Sequence, residues 1–298
     1  MSLRTLAGVA RAPFLLLPVT LVAVGAAAAS CDGSFSWSRT VLALVGLLGL
    51  HVAVNAFNEA SDLRSGIDLE TSRTPFSGGS GTLPTGALSP AAAVAMAIIG
   101  ASIGLAAGVW FMLWVGPQLL PILVLGAVAT LAYTEFLARH YVGELFAGLG
   151  LGALPVLGTA LVQTGSLGPT AVWAALPAFL MTFNLLLLNE FPDEVADRAG
   201  GRRNLLLLLG RRGAALLYAV LALAVPAVIV AGVLSGALSA VALAALLPSL
   251  LLRAPLRWAL SRPAAEVPVP ALGANVGWNL LTNALLAATL ALACRPPV

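Results

Sequence analysis

Two short stretches hold most of the chemistry this chain can do. Asn58-Glu59-Ala60-Ser61-Asp62 and Asn189-Glu190-Phe191-Pro192-Asp193 share the pattern N-E-x-x-D, and each is followed by a further acid, Asp68 in one case and Asp197 in the other. Arginine trails both, Arg73 after the first and Arg202 with Arg203 after the second. Asn58 and Asp62 are four apart and share a helix face; Asn189, Asp193 and Asp197 line one stripe if their helix continues past Pro192. Gly66 breaks the first helix, so Asp68 returns from a turn. Clustered carboxylates repel one another and resist desolvation, and without partners they take up protons. A hard cation removes the conflict, because Mg²⁺ takes one or two carboxylates together with phosphate oxygens of a substrate. The pattern suits two metal ions around one diphosphate, with Arg forks on the remaining charge. The competing reading is helix caps and salt-bridged loop charges. Repetition of the motif in so charge-poor a chain argues against it.

The elements that must position these residues are membrane helices. Of 298 residues, 60% are hydrophobic and 9% charged, where a soluble chain carries about 25% charged residues. Apolar segments near residues 12–30, 40–60, 90–114, 118–137, 143–163, 170–190, 212–233, 235–253 and 274–294 each approach the length that crosses a bilayer. The expected fold is therefore all-α, a single domain over 1–298 with about nine spans. Its first thirty residues imitate a secretory signal, but in a chain apolar to its end they read better as a first span. All fifteen basic residues are Arg, and the net charge of +3 is too small and scattered for nucleic-acid binding. With the N-terminus inside, only Arg39 and Arg295 fall outside, a strong positive-inside bias. Of the acids only Asp32 does. This puts the loops at about 61–89, 138–143, 190–212 and 254–273, and the acidic motifs, on the cytoplasmic face of a plasma-membrane protein.

With its trailing residues, the first motif, Asn58-x-x-x-Asp62-x-x-x-Gly66-x-Asp68, resembles the first aspartate-rich motif of the UbiA superfamily of intramembrane prenyltransferases. The second, Asn189-Glu190-Phe191-Pro192-Asp193-x-x-x-Asp197-x-x-Gly200-Gly201-Arg202-Arg203, resembles that superfamily's second motif. The spacing is most similar to the branch that prenylates 1,4-dihydroxy-2-naphthoate. The resemblance spans nearly the whole chain and implies Mg²⁺ held by Asn58, Asp62, Asp68, Asn189, Asp193 and Asp197. It implies diphosphate binding by Asn58, Asn189, Arg73, Arg139, Arg202 and Arg203, with Asp62, Asp193, Arg73, Tyr133 and Arg139 in the catalytic step. Its substrates would be an isoprenyl diphosphate and an aromatic or other lipophilic acceptor, met in the lipid phase. Two departures stand out. Glu59 replaces the family's usual Asp. The segment from Tyr133 to Glu144 looks like a shortened version of a family loop, with Arg139 and His140 both candidates for its basic residue. Transfer to a lipid or carotenoid acceptor, or cyclisation of the prenyl chain, would use the same metal site. A transporter is the remoter alternative, and charges crowded at one face argue against it.

Several features carry two readings. Phe76 to Thr82 is either a lid whose backbone N–H groups meet phosphate or a flexible linker, with Ser72, Arg73 and Thr74 just before it. His51, two turns before Asn58, reads as a packing or hydrogen-bonding residue rather than a catalyst. Asn55 could extend the polar stripe into a cavity, and Asn184 and Gln163 are weaker cases. Asn275, Asn279 and Asn283 form an i, i+4, i+8 stripe that reads as helix packing. The Leu run 205–209 reads as an interfacial segment. Cys31 and Cys294 both fall at outer helix ends, where a disulfide and simple packing are the alternatives.

Overall fold

The computed structural model describes residues 2–71 and 73–294; Ser72 and Arg295, weighed above, lie outside the described residues. After a short helix at Leu3–Val9, nine apolar helical segments follow: α1 (Ala12–Cys31), α2 (Trp37–Ser65), α3 (Pro90–Val115), α4 (Pro117–Leu131), α5 (Gly143–Thr164), α6 (Pro169–Ala199), α7 (Leu205–Leu234), α8 (Ala240–Ser261) and α9 (Val269–Ala293). Eight are long and apolar enough to cross a membrane, and α4 is the shorter ninth. No strand occurs among the described residues. The chain is an all-helical integral membrane protein, as its composition requires.

Helix lengths explain where the motifs sit. α2 has 29 residues and α6 has 31. At 1.5 Å per residue they reach about 44 and 46 Å, well beyond the ~30 Å of hydrocarbon. Both overrun their expected ends near 60 and 190 and carry the acids on their final turns. The connection expected at 190–212 is thus only residues 200–204, and that expected at 254–273 is residues 262–268. The Leu run 205–209 opens α7, which breaks its helical geometry at Gly210. α4 stops six residues short of the expected 137, because Glu135 turns to α2, where it accepts from Ser61 Oγ at 2.7 Å and pairs with Arg64.

Small residues let the helices approach. A Cβ built on Gly49 of α2 would lie 2.7 Å from the Gly100 carbonyl oxygen of α3, and one on Gly25 of α1 would lie 2.5 Å from that of Val156 in α5. Such backbone contact is how helices associate where no hydrophobic force acts between them. The asparagine stripe of α9 joins α6 and α7. Asn275 accepts from Tyr218 Oη at 2.9 Å, and Asn279 accepts from Asn283 Nδ2 at 2.8 Å; Asn184 Nδ2 donates to the Tyr218 carbonyl at 3.0 Å. The packing reading of these asparagines holds. Gln163 fastens the far loop, accepting from Ser36 N at 2.8 Å. Cys31 and Cys294 are joined as a disulfide, Cα–Cα 4.6 Å, linking the end of α1 to the residue after α9.

Candidate active site

The two motifs meet. Gly66, in the left-handed region at φ 82°, ends α2, and a short helix at Ile67–Glu70 turns Asp68 back. α6 runs through Pro192 to Ala199 without interruption, so its stripe of Asn189, Asp193 and Asp197 survives. These three line one cavity of about 170 Å³ with Asn58, Asp62 and Asp68. Tyr133, Glu190 and Arg202 are among its other polar lining, and Phe14, Leu17 and Val54 among its apolar lining.

Arg202 stands between the motifs. Its Nη2 donates to Asp62 Oδ1 and Oδ2 at 2.6 and 2.7 Å and to Asn58 Oδ1 at 2.9 Å, and its Nε lies 3.5 Å from Asp197 Oδ1. Burial opposes its charge, but Asp62 and Asp197 more than reverse that, so the guanidinium is held firmly protonated. Asn58 Nδ2 also donates to Asp62 Oδ2 at 2.7 Å, and Asn204 Nδ2 to Asp197 Oδ2 at 3.0 Å.

The remaining oxygens are under-satisfied. Asp68 Oδ2, Asn189 Oδ1, Glu190 Oε2 and Asp193 Oδ1 are buried with no hydrogen-bond partner among the described residues. Buried oxygens of this kind call for a donor or a cation, and a hard, oxygen-seeking ion fits the set. Burial pushes Asp68 up to about 7, helped by the neighbouring charges of Asp62 and Glu59. Among the described residues no three acidic side chains already converge as a metal cage; Arg202 separates Asp62 from Asp197. Burial also raises the Tyr133 phenol, which therefore keeps its proton and serves as a donor rather than a base.

The loop after the first motif crosses the site as a strap. Gly78 N donates to Asp193 Oδ2 at 3.2 Å. Gly79, at φ 69°, packs so close that a Cβ there would lie 2.6 Å from Asp68 Oδ1. Ser80 anchors the strap on Glu59, donating from N at 2.6 Å and from Oγ at 2.7 Å. The linker reading is thereby displaced, and Glu59 is a strap holder with no place among the residues lining the cavity. Arg73 is outside the lining too; its Nη2 donates to the Asp68 carbonyl at 2.7 Å and fixes that turn.

Two further expected diphosphate ligands, besides Arg73, are not brought to the cavity. Arg203 is exposed and contributes backbone bonds, donating to Ala138 O at 3.0 Å and accepting from Tyr141 N at 2.8 Å. Arg139 lies on the other side of the same turn, its Nη1 near Gly201. Both are drawn away because the 200–204 connection pairs with residues 138–141. His140 is exposed, stacked on Phe136 at 4.1 Å. Conversely, Arg11 and Glu190 line the cavity. The sequence had offered Arg11 as an inner-face charge and Glu190 as a motif acid near the membrane boundary, neither of them as a metal or diphosphate ligand.

An all-helical membrane bundle whose two matching acidic helix ends open on one buried cavity defines the class of protein. A family model described as the UbiA prenyltransferase family matches residues 16–270. The chain belongs to that family. It is 28% identical over 205 residues to the 1,4-dihydroxy-2-naphthoate octaprenyltransferase of Bacillus subtilis (strain 168), covering 64% of this chain and 63% of that relative, so the match spans less than two thirds of the relative's length. Among solved structures, a UbiA homolog from Aeropyrum pernix K1 superposes with TM-score 0.71 at 21% identity, over 94% of this chain and 98% of that one. A UbiA homolog from Archaeoglobus fulgidus bound to GPP and Mg²⁺ superposes with TM-score 0.66 at 14% identity, over 96% and 99%. These likenesses establish the shared fold.

Proposed function

We propose that the chain transfers a polyprenyl group from an isoprenyl diphosphate to a hydroxylated aromatic acceptor of the 1,4-dihydroxy-2-naphthoate type, with Mg²⁺ as cofactor. The observation that carries this reading is the cavity into which both motifs turn oxygens lacking hydrogen-bond donors. Asn58, Asp62, Asp68, Asn189, Asp193 and Asp197 would hold the metal. Bound there, Mg²⁺ supplies charge that stabilises the departing diphosphate. The Bacillus relative's named acceptor and the Mg²⁺ and prenyl diphosphate held by the Archaeoglobus homolog support the choice.

The chain's own groups have separable tasks. Arg202 offers forked donors to phosphate oxygens once they compete with Asp62. Tyr133 donates from its neutral phenol. The strap, through Gly78 and Gly79, closes over the charged end. Phe14, Leu17 and Val54 keep water from the allylic carbon as its C–O bond breaks, the electron pair leaving with the diphosphate. A ring carbon of the acceptor then bonds to that carbon, and the ring regains its aromaticity by giving the proton of that ring carbon to the released diphosphate. The arginine asymmetry supports an N-terminus inside and a cytoplasmic site in the plasma membrane.

The test is product analysis. Purified protein in nanodiscs receives labelled prenyl diphosphate, Mg²⁺ and a panel of naphthoate, phenolic, glycerol phosphate and carotenoid acceptors. Prenylated arene with diphosphate release, abolished by a chelator, is the expected result. Labelled lipid only from glycerol phosphate or carotenoid, or a cyclised prenyl product, would replace the aromatic acceptor. Ion flux with no prenyl product would overturn the enzyme assignment.

A further inference from the structure

The cavity has a second polar wall that neither acidic motif supplies. His51 sits on α2 seven residues before Asn58, about 10 Å further along the helix axis. It is 4% exposed, it lines the cavity, and its Nδ1 has no hydrogen-bond partner among the described residues. Its polar neighbours are already engaged. Asn55 Nδ2, one turn on, donates to the Ala10 carbonyl at 2.9 Å. That bond seats the chain just before Arg11 against α2. Arg11 Nη2 donates to the Phe76 carbonyl at 3.2 Å, and its guanidinium lies 4.7 Å from the centre of the Phe14 ring. Among the described residues, the His51 Nδ1 is the atom of this wall left without a protein partner.

A buried imidazole nitrogen with nothing to bond is costly, and native proteins rarely leave one idle. The metal and diphosphate do not answer it, since their ligands begin two turns away. A prenyl chain does not answer it either, because hydrocarbon neither donates nor accepts. What remains is the co-substrate that must reach the allylic carbon from the side away from the diphosphate. We propose that His51 is the acceptor-binding residue, hydrogen-bonded to a ring hydroxyl of the arene and thereby setting which ring carbon faces the prenyl group. This rests on the aromatic-acceptor reading above and adds the residue that recognises the hydroxyl. It gives the packing or hydrogen-bonding role that the sequence suggested for His51 a named partner.

The experiment uses the full chain in nanodiscs, a hydroxylated naphthoate and its methyl ether as acceptors, and the variants His51→Phe and His51→Gln. The ether keeps the ring activated but cannot donate. At saturating prenyl diphosphate, His51→Phe should lower acceptor kcat/KM by about tenfold or more. The KM for prenyl diphosphate and the Mg²⁺ requirement should stay as they were. The unmutated protein should prefer the hydroxyl over the ether, His51→Phe should lose that preference, and His51→Gln, which retains a hydrogen-bonding group, should keep part of it. A purely structural role would lower activity toward both acceptors alike. Unchanged acceptor KM and unchanged hydroxyl preference in either folded variant would overturn the proposal, as would an equal rise in the prenyl diphosphate KM. If the unmutated protein prenylates no hydroxylated arene, the aromatic-acceptor reading itself has failed, and that is visible before any variant is made.

Discussion

Arg202→Met is the perturbation that most directly probes how the two motifs are held together. The Arg202 side chain is 15% exposed, and those of Asp62 and Asp197 are 9% and 3%. The cluster is therefore in the buried regime, where removing one partner of an ion pair costs roughly 3–5 kcal/mol because the opposite charge is left uncompensated. Met preserves most of the volume and none of the charge. At roughly 2 °C per kcal/mol for a chain of this size, the thermal midpoint should fall by about 6–10 °C. A divalent cation can take the vacated place, so millimolar Mg²⁺ should restore most of the loss. The unmutated protein should gain less, since there the ion competes with a guanidinium that donates to Asp62 and Asn58. Differential scanning fluorimetry in detergent, with and without Mg²⁺, reads both quantities. The double variant Asp62→Asn with Arg202→Met should be less destabilised than the sum of the single variants, because the two residues share one interaction. An unchanged midpoint in Arg202→Met, or equal Mg²⁺ shifts in both proteins, would refute the reasoning.

Replacing Asp62, Asp68, Asp193 or Asp197 singly with Asn should lower kcat/KM for prenyl diphosphate by about 100-fold or more, with the variants still monodisperse by size-exclusion chromatography. Mg²⁺ affinity should rise with pH up to about 7 and level off above it. Burial raises Asp68 to that value, and its proton must leave before the oxygen can bind metal; calorimetric titrations between pH 5.5 and 8 would show proton release that shrinks as pH rises. For folding, the same shift means that ionised Asp68 lowers stability between its ordinary carboxylate value and about 7, so without metal the midpoint should fall over that window. Gly79→Val should remove most activity, because the left-handed backbone disfavours a β-branched residue and the added Cβ would lie 2.6 Å from Asp68 Oδ1. Gly49→Leu, whose Cβ would lie 2.7 Å from the Gly100 carbonyl oxygen, should separate α2 from α3 and destabilise the protein by about 1–3 kcal/mol or more, read as a lower midpoint with little change in KM.

The fold was legible because bilayer physics writes it into composition. Long apolar runs fix the helices, and repeated N-E-x-x-D at two helix ends marks where they meet. What escaped reading depends on partners far apart in the chain. Nothing local tells that Glu59 faces Ser80 rather than the cavity, or that residues 200–204 pair with 138–141 and carry Arg139 and Arg203 away. The overrun of α6 to Ala199 was hidden by Pro192 and by charges that resemble a loop. Those charges are tolerated because the last turns of a 31-residue helix stand clear of the hydrocarbon. Arg11 went unnoticed as a site residue because its approach depends on the bond from Asn55 to Ala10, which links α2 to the chain before α1.

The charge balance of the cavity bears on how a diphosphate can enter it. Among the described residues, Asp62, Asp68, Glu190, Asp193 and Asp197 line the wall against two guanidinium groups, those of Arg11 and Arg202. Arg202 is already bonded to Asp62, and the Arg11 Nη2 to a backbone carbonyl. A bare diphosphate would add negative charge to a site whose acids outnumber its cations, in a medium where such repulsion is poorly screened. Entry is favourable only if positive charge arrives with the substrate or waits on the carboxylates. On the proposed function, the acidic motifs would therefore act as a filter as well as a ligand set, and metal binding and substrate binding would become one coupled event.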